Sequence, residues 1–163
     1  MKEIVNMRRY FAEYLERKIE EDPSILLITA DLGYGMFDKI RDRFPNNFIN
    51  CGASEQLMIG LCVGAAYEGR KPIAYSITPF LIYRPFELLR NYVNKEQLNI
   101  KLIGSGRGKD YAHDGFSHWA EEDQQVMSVF SNIESRWPSL ENVKEQLDEC
   151  FNSEKPYYIN LKR

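Results

Sequence analysis

Cysteine is scarce in this chain of 163 residues: there are three, Cys51, Cys62 and Cys150. Their odd number and the lack of any Cys-x-x-Cys pair argue against a disulfide framework or a zinc site and make buried, structural thiols the expectation. Long hydrophobic runs are missing too. The longest, Leu57 to Ala66, falls far short of the ~20 residues that span a bilayer, and Met1 to Ile4 with Arg8 and Arg9 form no apolar signal-peptide core. No membrane span is expected, and the location expected is cytoplasmic. Neither sign of charge dominates: 21 basic residues face 24 acidic ones, for a net charge of −3. Such a balance provides no basic field for a phosphate backbone, so no nucleic-acid partner is expected. Linkers, repeats and low-complexity stretches are lacking as well. The length and the 44% hydrophobic content predict one globular domain over residues 1–163.

What is present is an alternation. Apolar residues at Ile4, Met7, Phe11, Tyr14, Leu15 and Ile19 fall at helical spacing, and Asp22-Pro23 stops that helix. Ile25 to Ala30 is then a short, continuous apolar run of the kind that forms a strand buried on both faces. Similar runs recur at Phe48–Cys51, Pro72–Ile77, Ile100–Gly104 and Tyr157–Leu161, with a weaker one at Asn132–Ser135. Helical segments lie between them, at about Phe37–Phe44, Ser54–Glu68, Phe80–Lys95, Trp119–Phe130 and Leu140–Phe151. This rhythm predicts an α/β fold: an open, mostly parallel sheet of about six strands with helices on both faces.

In such a sheet ligands bind beyond the carboxyl ends of the strands, which directs attention to the segments there. Gly52-Ala53-Ser54-Glu55-Gln56 opens a helix that is apolar almost all round, with Gly60 and Gly64 four apart on one face. Glu55 is either a site carboxylate or a first-turn residue that complements the helix dipole while Ser54 caps. The apolar helix itself suggests a subunit interface. Phe80, Tyr83 and Phe86 are three apart, as either core aromatics or a flat wall for a planar ring. Both histidines, His113 and His118, lie with Asp110 and Asp114 in the stretch from Gly104 to His118. That stretch is either a loop with satisfied polar groups or a site that handles hydroxyls and protons.

The ordered set of pieces resembles the pyrimidine-binding domain of thiamine-diphosphate enzymes of the transketolase superfamily. The pieces are Ala30-Asp31-Leu32, Phe48 to Met58, Gly64 to Pro72, Thr78 to Tyr83, Asp114-Gly115-Phe116-Ser117-His118 and Pro156 to Arg163. The resemblance implies that Glu55 hydrogen-bonds N1′ of the cofactor's aminopyrimidine and assists its proton transfer, as a catalytic residue. It implies that Tyr83 stacks on the pyrimidine ring, with Phe80 and Phe86 as aromatic neighbours and Asp31 near the cofactor. Asp114 and His118 match residues that face sugar hydroxyls and the reacting carbon. An earlier histidine of the transketolase loop is replaced by Gly106, which leaves His113 as its substitute or as an incidental residue.

The family's Gly-Asp-Gly segment, with the asparagine that follows it to hold Mg2+ and the diphosphate, is not found. The resemblance therefore implies thiamine diphosphate as cofactor, with Mg2+ held by a separate diphosphate-binding subunit, and a heterotetramer with two copies of each chain. The implied activity is transfer of a two-carbon ketol unit between sugars or sugar phosphates. The alternatives are a beta subunit of a 2-oxoacid decarboxylase or dehydrogenase, a deoxyxylulose-phosphate-synthase-like enzyme, and a non-catalytic stabilising paralogue.

Overall fold

The computed structural model describes residues 6–163; Ile4, counted above into the first helix, lies outside the described residues. In chain order the elements are α1 (Met7–Glu21), β1 (Ile25–Thr29), α2 (Asp38–Arg43), β2 (Phe48–Asn50), α3 (Glu55–Tyr67), β3 (Lys71–Ile77) and α4 (Thr78–Tyr83). They continue with α5 (Phe86–Leu88), a π-helix (Leu89–Lys95), β4 (Lys101–Ser105), α6 (Asp123–Met127), β5 (Glu134–Arg136), α7 (Val143–Asn152) and β6 (Tyr157–Leu161).

All strand pairs are parallel, in the order β2-β1-β3-β4-β6-β5. The period of two along each strand sorts the core into two layers. Ile25 and Leu27 of β1, Ile73 and Tyr75 of β3, and Tyr157, Ile159 and Leu161 of β6 face α1, α2 and α7. Leu26, Ile28, Ala74, Leu102 and Tyr158 face α3, α4 and the π-helix. The six-stranded α/β sheet with helices on both faces is as the alternation predicts. Phe11 and Phe37 close on the buried Tyr75 ring at centroid distances of 6.0 and 4.8 Å. Burial of such side chains contributes about 1.5–3 kcal/mol each.

The chain leaves β1 toward β2 and leaves β3 toward β4, so the β1/β3 boundary is a topological switch point. Helix α3 crosses back over β1 from β2 to β3, and its first residue, Glu55, arrives at that boundary.

Four local expectations are corrected. The run at Phe48 is an edge strand, exposed at Ile49 and Asn50, because the sheet ends there. Ser54 makes no side-chain capping bond to α3. The helix expected over Phe80–Lys95 breaks at Pro85, which has no N–H for the ladder; beyond α5, Asn132 Nδ2 draws on the Asn94 carbonyl and the turns widen to π. The helix expected over Trp119–Phe130 shrinks to Asp123–Met127. Trp119 is extended, and the Ala120 N–H bonds the Gly108 carbonyl at 2.8 Å, tying that stretch to the glycine loop instead.

Candidate functional site

Glu55 is the centre of the crevice. Its side chain is 2% exposed, and each oxygen has a partner: Ser76 Oγ donates to Oε1 at 3.1 Å, and Arg84 Nη1 donates to Oε2 at 2.5 Å. Ser76 reaches it because it lies two residues along β3 from Ala74 and so shares the face covered by α3. A buried carboxylate is tolerated only when paired and hydrogen-bonded, and here both conditions hold.

Arg84 comes from the end of α4, one turn after Phe80, and its guanidinium carbon sits 3.8 Å from the Phe80 ring centroid. The His118 ring meets the same Phe80 edge-on at 4.8 Å, and His118 Nδ1 lies 3.0 Å from Ser117 Oγ. Glu55, Arg84, Phe80 and His118 are thus one contiguous constellation. Tyr83 is half-exposed beside it and donates to Glu122 Oε2 at 3.3 Å. Desolvation, with the Glu122 carboxylate adding to it, pushes the Tyr83 hydroxyl up to about 12, so it remains a donor at neutral pH.

The other residues singled out in the sequence are not all drawn in. Phe86 turns from the constellation to pack on Phe130, at a centroid distance of 5.1 Å, because Pro85 redirects the chain. Asp114 and His113 are exposed on the loop after β4, with His113 Nε2 3.2 Å from Asp114 Oδ2. Asp31 is exposed and accepts from the Tyr34 hydroxyl. It has a left-handed φ of 52°, rare for a residue with a side chain and found disproportionately at functional sites. Asn50 Oδ1 holds the ends of β1 and β2 together by accepting from the N–H groups of Asp31 and Gly52, at 3.0 and 3.1 Å.

Two supports had no single-residue signal. Asp123 Oδ2 is buried and accepts from Trp137 Nε1 at 2.6 Å, Tyr158 Oη at 2.9 Å and Asn160 Nδ2 at 2.6 Å, which locks α6 to β6 behind the aromatic wall. Gly104 lets Thr78 close in: a Cβ there would lie 2.6 Å from Thr78 Oγ1, which donates to the Gly106 carbonyl at 2.7 Å. Arg84 did have a signal, its i,i+4 spacing from Phe80.

A buried carboxylate facing a planar N–H donor, with aromatic faces beside it, fits an aminopyrimidine ring. Among the described residues no group of three His, Cys, Asp or Glu side chains converges to hold a metal ion.

Residues 3–163 match the family model "Transketolase, pyrimidine binding domain". The chain is 34% identical over 119 residues to an apulose-4-phosphate transketolase subunit of Actinobacillus succinogenes, covering 72% of this chain and 38% of that one. It is 31% identical over 139 residues to 1-deoxy-D-xylulose-5-phosphate synthase of Shewanella baltica, covering 84% of this chain and 22% of that one. Among solved structures, a split-gene transketolase described as an inactive beta4 tetramer superposes with a TM-score of 0.84 at 28% identity, over 98% of this chain and 52% of that one. The chain spans less than half the length of the curated relatives it matches. The family match over residues 3–163, together with the fold shared with the split-gene transketolase, shows that this chain belongs to the transketolase pyrimidine-binding-domain family.

Proposed function

We propose that this chain is the pyrimidine-binding subunit of a two-chain, thiamine-diphosphate-dependent, transketolase-like enzyme that transfers a two-carbon ketol unit between sugars or sugar phosphates. The observation that carries the reading is Glu55, a carboxylate 2% exposed at the sheet's switch point, beside aromatic faces and a histidine. The Actinobacillus relative, a transketolase subunit, and the solved neighbour, a split-gene transketolase, support a separate partner chain. We assign Mg2+ and the diphosphate to that partner, and two copies of each chain to the assembly.

Thiamine diphosphate, when bound, supplies the electron sink that lets a ketol carbon–carbon bond break and re-form. The chain's own share is positioning and proton handling. Glu55 would hold a proton at N1′ of the pyrimidine, with Ser76 fixing its other oxygen. Tyr83 and Phe80 would line the ring, and His118, against Phe80, would face the reacting carbon. Asp114, on the open loop, would meet a donor hydroxyl, with His113 beside it; Asp31 would border the cofactor from the end of β1.

The test is Glu55→Gln in the assembled two-chain enzyme. The amide cannot share the proton at N1′, and losing such general acid–base help costs ~10²–10⁴ in rate. Turnover should fall by that factor with far-UV circular dichroism and sedimentation unchanged. A loss below tenfold would leave Glu55 a helix-start residue and overturn the reading.

A further inference from the structure

In the free chain the place beside Glu55 is already filled. Arg84 donates to Glu55 Oε2 at 2.5 Å while its guanidinium lies over the Phe80 ring at 3.8 Å. Among the described residues it is the one cation within ion-pair distance of that carboxylate. A guanidinium and an aminopyrimidine protonated on its ring are chemically alike: each is a planar cation built on an N–C–N unit, with N–H donors in its plane and a face that stacks on an aromatic ring. Each carboxylate oxygen can accept a second N–H, but Arg84 covers Oε2 and the Phe80 face at once, so a planar ring that pairs with Glu55 and stacks on Phe80 competes with the guanidinium for the same space.

We propose that Arg84 is an internal stand-in for the aminopyrimidine, holding Glu55 and the Phe80 face in the free chain and swinging out when the cofactor's ring enters. This rests on the reading of Glu55 as the pyrimidine's partner. Two features make the exchange feasible. Glu55 is 2% exposed, so a departing arginine must be replaced by another N–H donor, or a buried charge is left unpaired. The Arg84 side chain is 47% exposed at the end of α4, so its head swings into water with little desolvation to reverse. Arg84 is thus a positioning residue: it keeps the Glu55 carboxylate aimed and paired until the cofactor takes over. The apparent affinity for the ring is reduced by the fraction of time that Arg84 stays in place.

The experiment uses the full chain and, as probe, the methyl- and hydroxymethyl-substituted aminopyrimidine that forms the pyrimidine half of thiamine, titrated while amide and arginine side-chain NMR signals are followed. In the wild type, saturation should move the Arg84 Nε–Hε signal to the position of a free, hydrated arginine, together with shifts at Ser76 and Glu55. Arg84→Met keeps an apolar stem over Phe80 without the guanidinium and should bind the probe about tenfold tighter, as for a site that is otherwise open about a tenth of the time. Arg84→Lys keeps the counter-charge for Glu55, protects the fold if the methionine variant is unstable, and should also bind more tightly because it lacks the planar stack. Adding Glu55→Gln to either variant should remove the gain.

If the probe saturates the wild type and both variants with equal affinity, or the Arg84 signal stays fixed at saturation, the stand-in role is overturned and the function proposed above stands. If no chain binds the probe saturably, the assignment of Glu55 to the pyrimidine fails and the stand-in role fails with it.

Discussion

At the scale of single residues, the roles proposed for Asp114 and His118 on the loop after β4 can be tested so as to separate ketol transfer from 2-oxoacid chemistry. Asp114 is exposed and His118 is half-buried against Phe80, so the two have different reach. A carboxylate placed to accept from a donor hydroxyl matters only for substrates that carry it, since a site built for a hydroxyl loses heavily when the pair is broken. Asp114→Ala should raise the Michaelis constant for a hydroxylated ketose by about tenfold or more and leave any pyruvate turnover unchanged. His118→Ala should lower turnover for both donors, as a group facing the reacting carbon serves whichever donor is bound. Steady-state assays of the two-chain enzyme with both donors decide it. Equal effects of Asp114→Ala on the two would favour the 2-oxoacid reading. The candidate residues Glu55, Phe80 and His118 were legible in the sequence because the topology fixes which segments follow strands. That Phe86 leaves them for Phe130 was not, because it depends on the turn at Pro85, and the i,i+4 spacing that puts Arg84 beside Phe80 gave no sign of its ion pair with Glu55 across the crevice.

At the scale of elements, the opposite end of the sheet carries a titrating group. Lys101 opens β4 and is 4% exposed as a residue, with Nζ donating to the carbonyls of Ser153 and Lys155 at 2.7 and 2.6 Å, where α7 hands over to β6. Burial lowers its ammonium to about 8. The folded value lies below the ordinary lysine value of ~10.4, so between the two the unfolded chain binds more protons and stability must rise with pH. The penalty for burying the charge is present in full below about pH 8 and gone above about pH 10.5. Relative to Lys101→Met, the wild type should gain up to about 3 kcal/mol across that window. Urea unfolding of both proteins at the two ends of the window measures it, with the tyrosine titrations common to both cancelling. A difference that stays flat would mean that the ammonium is hydrated in the fold. The strands were the legible elements: continuous apolar runs have few alternatives, and even the weak Asn132–Ser135 run overlaps β5 at Glu134–Arg136. Helix lengths were less so. Apolar spacing over Trp119–Phe130 could not register that Ala120 bonds across to Gly108, a contact between segments far apart in sequence.

At the scale of the whole molecule, α3 is the element that this chain does not finish. Between Glu55 and Glu68 the helix has no charged residue, yet Leu57 is 51% and Tyr67 57% exposed, and Gly60 and Gly64 face solvent. Glycine inside a helix costs about 1 kcal/mol relative to alanine. Within this chain nothing accounts for that cost, since a Cβ added at either position meets no atom within 4 Å. A second helix packed against the notch would account for it, because small residues permit close approach and the apolar face would then be covered. The consequence is a pair of opposite signs. Gly60→Ala combined with Gly64→Ala should stabilise the isolated chain by about 1–2 kcal/mol in urea unfolding, while weakening its association with the proposed partner subunit in sedimentation velocity. Gly60→Leu should abolish the association with the monomer's fold intact by circular dichroism. Stabilisation without any loss of association would show that the glycines do not mark the docking face, and the partner would then have to be sought on the crevice side, around Tyr34 and Phe116, which are 71% and 73% exposed.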